Sequence, residues 1–187
     1  MSTSSAPFGL QPAYSPSGVV RPTAFTIATG YNANIYGNQP VKISSSDGTL
    51  VAAAIGDAFI GSFQGVEWTD TDGKRRVSNK WTAATAGTDI VAYATLDPSL
   101  VYNIQANGSI AQSQLGNQAN TTAITAGNST VGYSQLMLDT ATLTTSGNAQ
   151  MRIIGITPGP DNAWGDNYTV VQVQISEHQN VANIAAY

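Results

Sequence analysis

The residues best placed by type and spacing to do chemistry lie between Glu67 and Lys80. There Asp70-Thr71-Asp72-Gly73 runs straight into Lys74, Arg75 and Arg76. Alternating carboxylates that close on a glycine share a pattern with the front of a calcium loop. That loop needs a third oxygen-bearing side chain before the glycine and a glutamate further on. Here the glycine comes at once and cations follow, which repel a metal. The stretch therefore reads as a charged hairpin turn built on Asp70, Asp72, Lys74, Arg75 and Arg76, with no metal. His178 is the only histidine and there is no cysteine. Ser176 and Glu177 precede it, but neighbours along a strand point to opposite faces. They do not assemble a nucleophile, a base and an orienting acid. A surface or interface histidine is expected, and a zinc site lacks its ligands. Asp161, Asn162, Trp164, Asp166 and Asn167 crowd one loop. That composition suits either a sugar-binding loop or, preferably, an Asx-rich turn whose side chains bond their own backbone. Asn107-Gly108-Ser109 and Asn128-Ser129-Thr130 fit the glycosylation pattern, which means little without a secretory signal. No phosphate-cradling glycine loop is present. No catalytic residue, cofactor or enzymatic activity is expected.

The elements that must carry these residues read as short strands. In residues 169–176, Val171, Val173 and Ile175 alternate with Gln172, Gln174 and Ser176, the pattern of a strand with one dry face. Residues 151–156 form a nearly continuous apolar run closed by Thr157-Pro158-Gly159-Pro160, which reads as a strand buried on both faces. Residues 59–82 read as a long hairpin around the Asp-Thr-Asp-Gly turn, its return arm running to Trp81, with opposite charges facing across it. Further strands are expected around Phe25 and Ile27, Val41 and Ile43, residues 49–55, 90–96, 100–105 and 136–138. Residues 109–116 are ambiguous and suit a short helix. Residues 118–132 read as loop, and residues 182–187 as an apolar tail. No long helical periodicity and no fixed repeat appears. Many short strands with frequent turn signals predict an all-β fold, a single barrel or sandwich of jelly-roll-like type.

Composition narrows the function classes. Only 10% of the 187 residues are charged, well below the ~25% of ordinary soluble domains. Ser, Thr, Asn and Gln supply the polarity instead, as in proteins that sit in assemblies. A net charge of −4 argues against nucleic acid, which favours a basic face. No basic segment followed by an apolar stretch marks a signal peptide, and no apolar run approaches the ~18 residues of a membrane span.

Residues 1–22 stand apart. Pro7, Pro12, Pro16 and Pro22 punctuate them, which forbids helix and favours extended backbone. Phe8, Leu10 and Tyr14 are more than a flexible linker needs. The segment reads as an extended arm that docks on another surface, with Pro7, Phe8, Gly9, Leu10 and Tyr14 as anchors. The alternatives are an N-terminal strand tied into its own sheet, or a disordered tail. Residues 23–187 form the β-rich domain.

Three stretches resemble small structural proteins of tailed-phage heads, of the capsid decoration or cement type. They are Ala6-Pro7-Phe8-Gly9-Leu10-Gln11-Pro12, then Val101-Tyr102-Asn103-Ile104-Gln105 with Asn107-Gly108, then Met151-Arg152-Ile153-Ile154-Gly155 with Pro160-Asp161-Asn162 and a strand closing on His178-Gln179. Their order and spacing follow the family along nearly the whole chain. Trp164 and residues 118–132 follow no fixed pattern. The resemblance implies a virion component on the outer surface of the capsid. It would be a homotrimer that clamps neighbouring major capsid proteins, with no catalytic residues, nucleic acid or membrane involved. The competing reading is a carbohydrate-binding β-module that stacks sugars on Trp68, Trp81 and Trp164.

Overall fold

The computed structural model describes residues 2–122 and 127–183. Extended strands dominate it. In chain order they are β1 (Gln11–Tyr14), β2 (Pro22–Phe25), β3 (Pro40–Ile43), β4 (Leu50–Ala52) and β5 (Gly61–Thr69). There follow β6 (Arg75–Ser78), β7 (Thr88–Thr95), β8 (Val101–Gln105) and β9 (Gln118–Ala119). The last are β10 (Gly127–Asn128), β11 (Tyr133–Ser134), β12 (Met151–Ile156) and β13 (Val170–Ile175). The all-β class read from the sequence holds, and the strand pairs are antiparallel.

β10 and β11 pair with each other apart, and the other described strands form two large sheets. One has five strands in the order β1-β8-β13-β12-β9, and the other runs β2-β7-β5-β3-β4 with β6 beside β5. Each path ends on open edges, so among the described residues neither sheet closes into a barrel, and a sandwich is the form that fits. The chain path is nested. All of β2 to β7 enters the second sheet before the chain returns at β8 to the sheet that β1 began.

Each sheet buries its own cluster. Leu10, Phe59, Tyr102, Ile104, Met151, Ile153, Val171 and Val173 fill the first. Ile27, Ile35, Val41, Leu50, Ile60, Phe63 and Trp81 fill the second. Phe59 and Ile60 are sequence neighbours, and their side chains enter different clusters. Full burial of each contributes about 1.5–3 kcal/mol, so the short link 59–60 fastens the clusters together. Buried polar contacts line the same seam. Tyr102 Oη and Thr95 Oγ1 share a 2.8 Å hydrogen bond, and the Ser62 backbone N–H donates to that Thr95 oxygen at 2.8 Å. Gln150, fully buried, donates through Nε2 to the carbonyls of Ala54 and Asp57, both at 3.0 Å.

Several expectations are corrected. Residues 151–156 are not buried on both faces: Met151 and Ile153 are buried while Arg152 and Ile154 are half-buried. A bulge between Ile153 and Gly155 offsets the pairing with β13. Of residues 49–55 only Leu50–Ala52 pairs, and Ile55 stands 54% exposed. Leu136 and Leu138 are core residues outside any strand; isolated bridges to Ala106 and Thr121 hold Leu138. The stretch read as loop at 118–132 contributes β9 and β10. The hairpin's return arm ends at Ser78, and Trp81 bridges to Ile35 instead. The ambiguous stretch 109–116 holds one 3-10 turn, Gln112–Gln114. Of the apolar tail, residues 184–187 lie outside the described residues. Among those described, no helix is long and apolar enough to cross a membrane.

Candidate interaction surface

The N-terminal anchors do not share one role. Proline and glycine let residues 2–14 run extended along the first sheet. Gln11 and Pro12 of β1 pair with Asn103 and Tyr102 of β8. Leu10 is fully buried in the protein's own core and donates its backbone N–H to the Asn38 carbonyl at 2.7 Å. It is therefore no free anchor: of the separate arm expected over residues 1–22, residues 2–14 lie on the protein's own first sheet, with Gln11–Tyr14 as its edge strand. An apolar side chain beside an edge strand finds its nearest burial in its own domain. Gly9 has φ +77, and a Cβ there would stand 2.5 Å from the Asn38 carbonyl oxygen, so only glycine fits. Phe8 and Pro7 are half-buried, and Tyr14 is 47% exposed.

Side-chain amides stitch the segment down. Asn38 donates from Nδ2 to the Phe8 carbonyl at 3.1 Å. Gln105 accepts from the Ala6 N–H at 2.8 Å and donates to the Ser4 carbonyl at 3.2 Å. Asp166 accepts the Ser2 N–H at 2.8 Å and the Ala163 N–H at 2.9 Å. Those backbone donors hold its carboxyl below the usual carboxylate range. The sequence signals these clamps faintly. Only Asn38, directly after Gly37 and itself at φ 61, carries the mark of a residue that tolerates left-handed backbone.

Beyond β1 the chain emerges. Val19 and Val20 are 55% and 40% exposed and lead into β2. A groove of about 460 Å³ opens beside them, lined by Phe8, Gln11, Pro12, Val20, Phe63 and Tyr133 among others. Tyr133 is 44% exposed. Apolar rings and polar amides mix there, as they do in the patches by which proteins meet. A larger cavity of about 750 Å³ lies among Asn34, Tyr36, Gln39, Ala53 and Ile55. Two of its amides already serve the backbone: Gln39 Oε1 accepts from the Tyr36 N–H and Asn34 Oδ1 from the Ala83 N–H.

The charged hairpin is solvent-facing. Arg76 Nε meets Asp70 Oδ2 at 2.6 Å and Arg75 meets Glu67 at 3.2 Å. The Arg76 hydrogen bond, with backbone donors behind it, lowers the Asp70 pKa. Asp70 Oδ1 also accepts the Asp72 and Lys74 backbone N–H groups, so the turn fills its own carboxylate. Among the described residues no cluster of three or more His, Cys, Asp or Glu side chains is placed to hold a metal.

His178 lies in the seam, 2% exposed, which corrects the surface or interface position expected of it. Its Nδ1 accepts the Asn180 N–H at 3.1 Å, so Nε2 carries the proton and donates to the Ile60 carbonyl at 2.9 Å. Burial pushes its pKa down. Trp81 is fully enclosed and packs edge-on to Trp68 at 6.0 Å, so it offers no face to a sugar. Trp164 is half-buried against the first cluster. Its loop is held by its own Asx side chains, as expected: Asn162 donates to the Thr157 and Val170 carbonyls and accepts the Val170 N–H, and Asp166 accepts the Ala163 N–H.

No family model, curated protein or solved structure matches the chain.

Proposed function

We propose that the protein is a structural component of a tailed-phage head that binds the outer capsid surface as a homotrimer and clamps neighbouring major capsid proteins. The observation that carries the reading is the groove lined by Phe8, Val20 and Tyr133, with Tyr14 and Val19 exposed on the same stretch of chain. It puts exposed apolar groups on and just after the sequence stretch that resembles the decoration proteins. Low charge and an all-β frame support the same role, since both suit a rigid piece of an assembly. The anchors are now Tyr14, Val19, Val20 and the exposed edge of Phe8, with Leu10 excluded.

The test adds the purified chain to undecorated capsids. Saturable binding is expected, with capsids surviving to higher temperature, and Tyr14→Ala with Val20→Ala should weaken capture without unfolding the protein. Failure to bind capsids at micromolar concentration, with selective signals on a glycan array, would favour the sugar-binding reading.

A further inference from the structure

We propose that residues 2–14 exchange between copies, so that β1 of one copy completes the five-stranded sheet of a second. The partner is this same chain, and its cradle is the edge of β8 with the Leu10 socket beside it. The inference rests on the self-association in the proposed function but not on any capsid.

The cradle is a built site for one extended segment. Leu10 plugs a core. Gln105 reads two backbone groups, at Ser4 and Ala6. Asn38 holds the carbonyl of Phe8, and Asp166 holds the N–H of Ser2. Main-chain pairing with β8 sets the register. Recognition of this kind, strand addition with side-chain pockets, works equally well in cis and in trans. A strand that leaves its own sheet makes the same hydrogen bonds and fills the same socket on a neighbour, so exchange is a low-cost route to oligomers.

The joint that would have to open is the exposed one. Residues 16–22 are exposed throughout. They are held back by a turn in which the Gly18 N–H donates to the Ser15 carbonyl at 2.8 Å, with Gly18 at φ +81. Ser15 adds a hydrogen bond to Asp97 at 2.7 Å. Pro16 and Pro22 bracket the joint and favour an extended path. Three of the large apolar side chains left exposed, Tyr14, Val19 and Val20, cluster at this joint. The closed monomer leaves them in solvent, so little apolar burial within the chain opposes a straightened joint.

The experiment uses the register itself. The chain has no cysteine, so Gln11→Cys with Asn103→Cys introduces one pair at facing positions of β1 and β8. The full-length variant is refolded at rising concentration, oxidised and run on a denaturing gel without reductant. Exchange predicts covalent multimers whose share rises with concentration, while a closed chain gives only the 19.4 kDa species. Mixing Gln11→Cys chains with Asn103→Cys chains repeats the test should the double variant fold poorly. A second variant deletes residues 17–19, so the shortened joint cannot turn back, and at least a tenfold rise in multimer is expected. Intrachain disulfide alone at every concentration overturns the proposal, as does a deletion variant that stays a folded monomer or loses its fold without associating. Absence of any disulfide overturns it too, since β1 then does not lie on β8. A trimer bonded only within chains leaves the capsid reading standing and removes the exchange, whereas exchanged multimers that ignore capsids do the reverse.

Discussion

Leu10 and Tyr14 sit four residues apart and divide the two functions that an apolar side chain near a terminus can have. Leu10→Ala should cost about 2–5 kcal/mol of stability, because it empties a buried socket. Tyr14→Ala should stay within about 0.5 kcal/mol, because its ring faces solvent. Urea unfolding of both variants checks the pair, and equal effects would contradict the assignment. Gly9→Ala should cost about 2 kcal/mol or more, since positive φ and the Asn38 carbonyl both oppose a Cβ. His178 gives a pH signature. Its folded pKa is depressed below the ordinary 6.5, so the unfolded chain binds the proton first and folding loses stability as pH falls below that value. Protonation would put an N–H against the Asn180 N–H, with Asp97 the charged group that opposes the shift. Urea midpoints from pH 7.5 to 5 should fall in the native chain and stay flatter in His178→Gln. The carboxylates with depressed pKa values, Asp57 and Asp166 among them, act in the separate window below about pH 4. At this scale the sequence was least legible. Asn38, Gln105, Gln150 and His178 are buried polar residues whose partners are mostly backbone groups far along the chain, and no local pattern announces a distant carbonyl.

The charged hairpin was the easiest element to read, because turn residues and facing charges are local signals. β5 and β6 pair Trp68 with Arg76 and Thr69 with Arg75, and Asp70 is occupied by its own turn. Neither calcium nor a chelator should move Tm, and a calcium-dependent rise would sink the metal-free assignment. Added salt should weaken the Arg76–Asp70 and Arg75–Glu67 pairs, as it does other exposed pairs. β13 was legible for a related reason: alternation is a property of the strand alone. β12 was not, since an apolar run does not say which face is covered, and a bulge shifts its pairing between Ile153 and Gly155. Leu136 and Leu138 pack without a ladder, so the sequence marked their burial and missed their backbone.

Across the whole molecule, the resemblance and the low charge pointed to an assembly protein, but the nesting of one sheet within the other left no trace in composition. Two hydrophobic clusters raise the question of two unfolding units. The Phe59–Ile60 link, the Tyr102–Thr95 bond and Gln150 tie them, so heat should unfold the protein in one transition with matching calorimetric and van't Hoff enthalpies. Two resolved transitions would show that the seam is weak. The nesting also imposes an order on synthesis. The strands of the inserted sheet all lie within residues 22–95, whereas β1 waits for β8, β12 and β13 before its own sheet is whole. At ~5–20 residues per second of translation, that wait lasts roughly 8–30 s. Throughout it the core that encloses Leu10 lacks Met151, Ile153, Val171 or Val173, so the first strand to leave the ribosome is among the last to be fully packed.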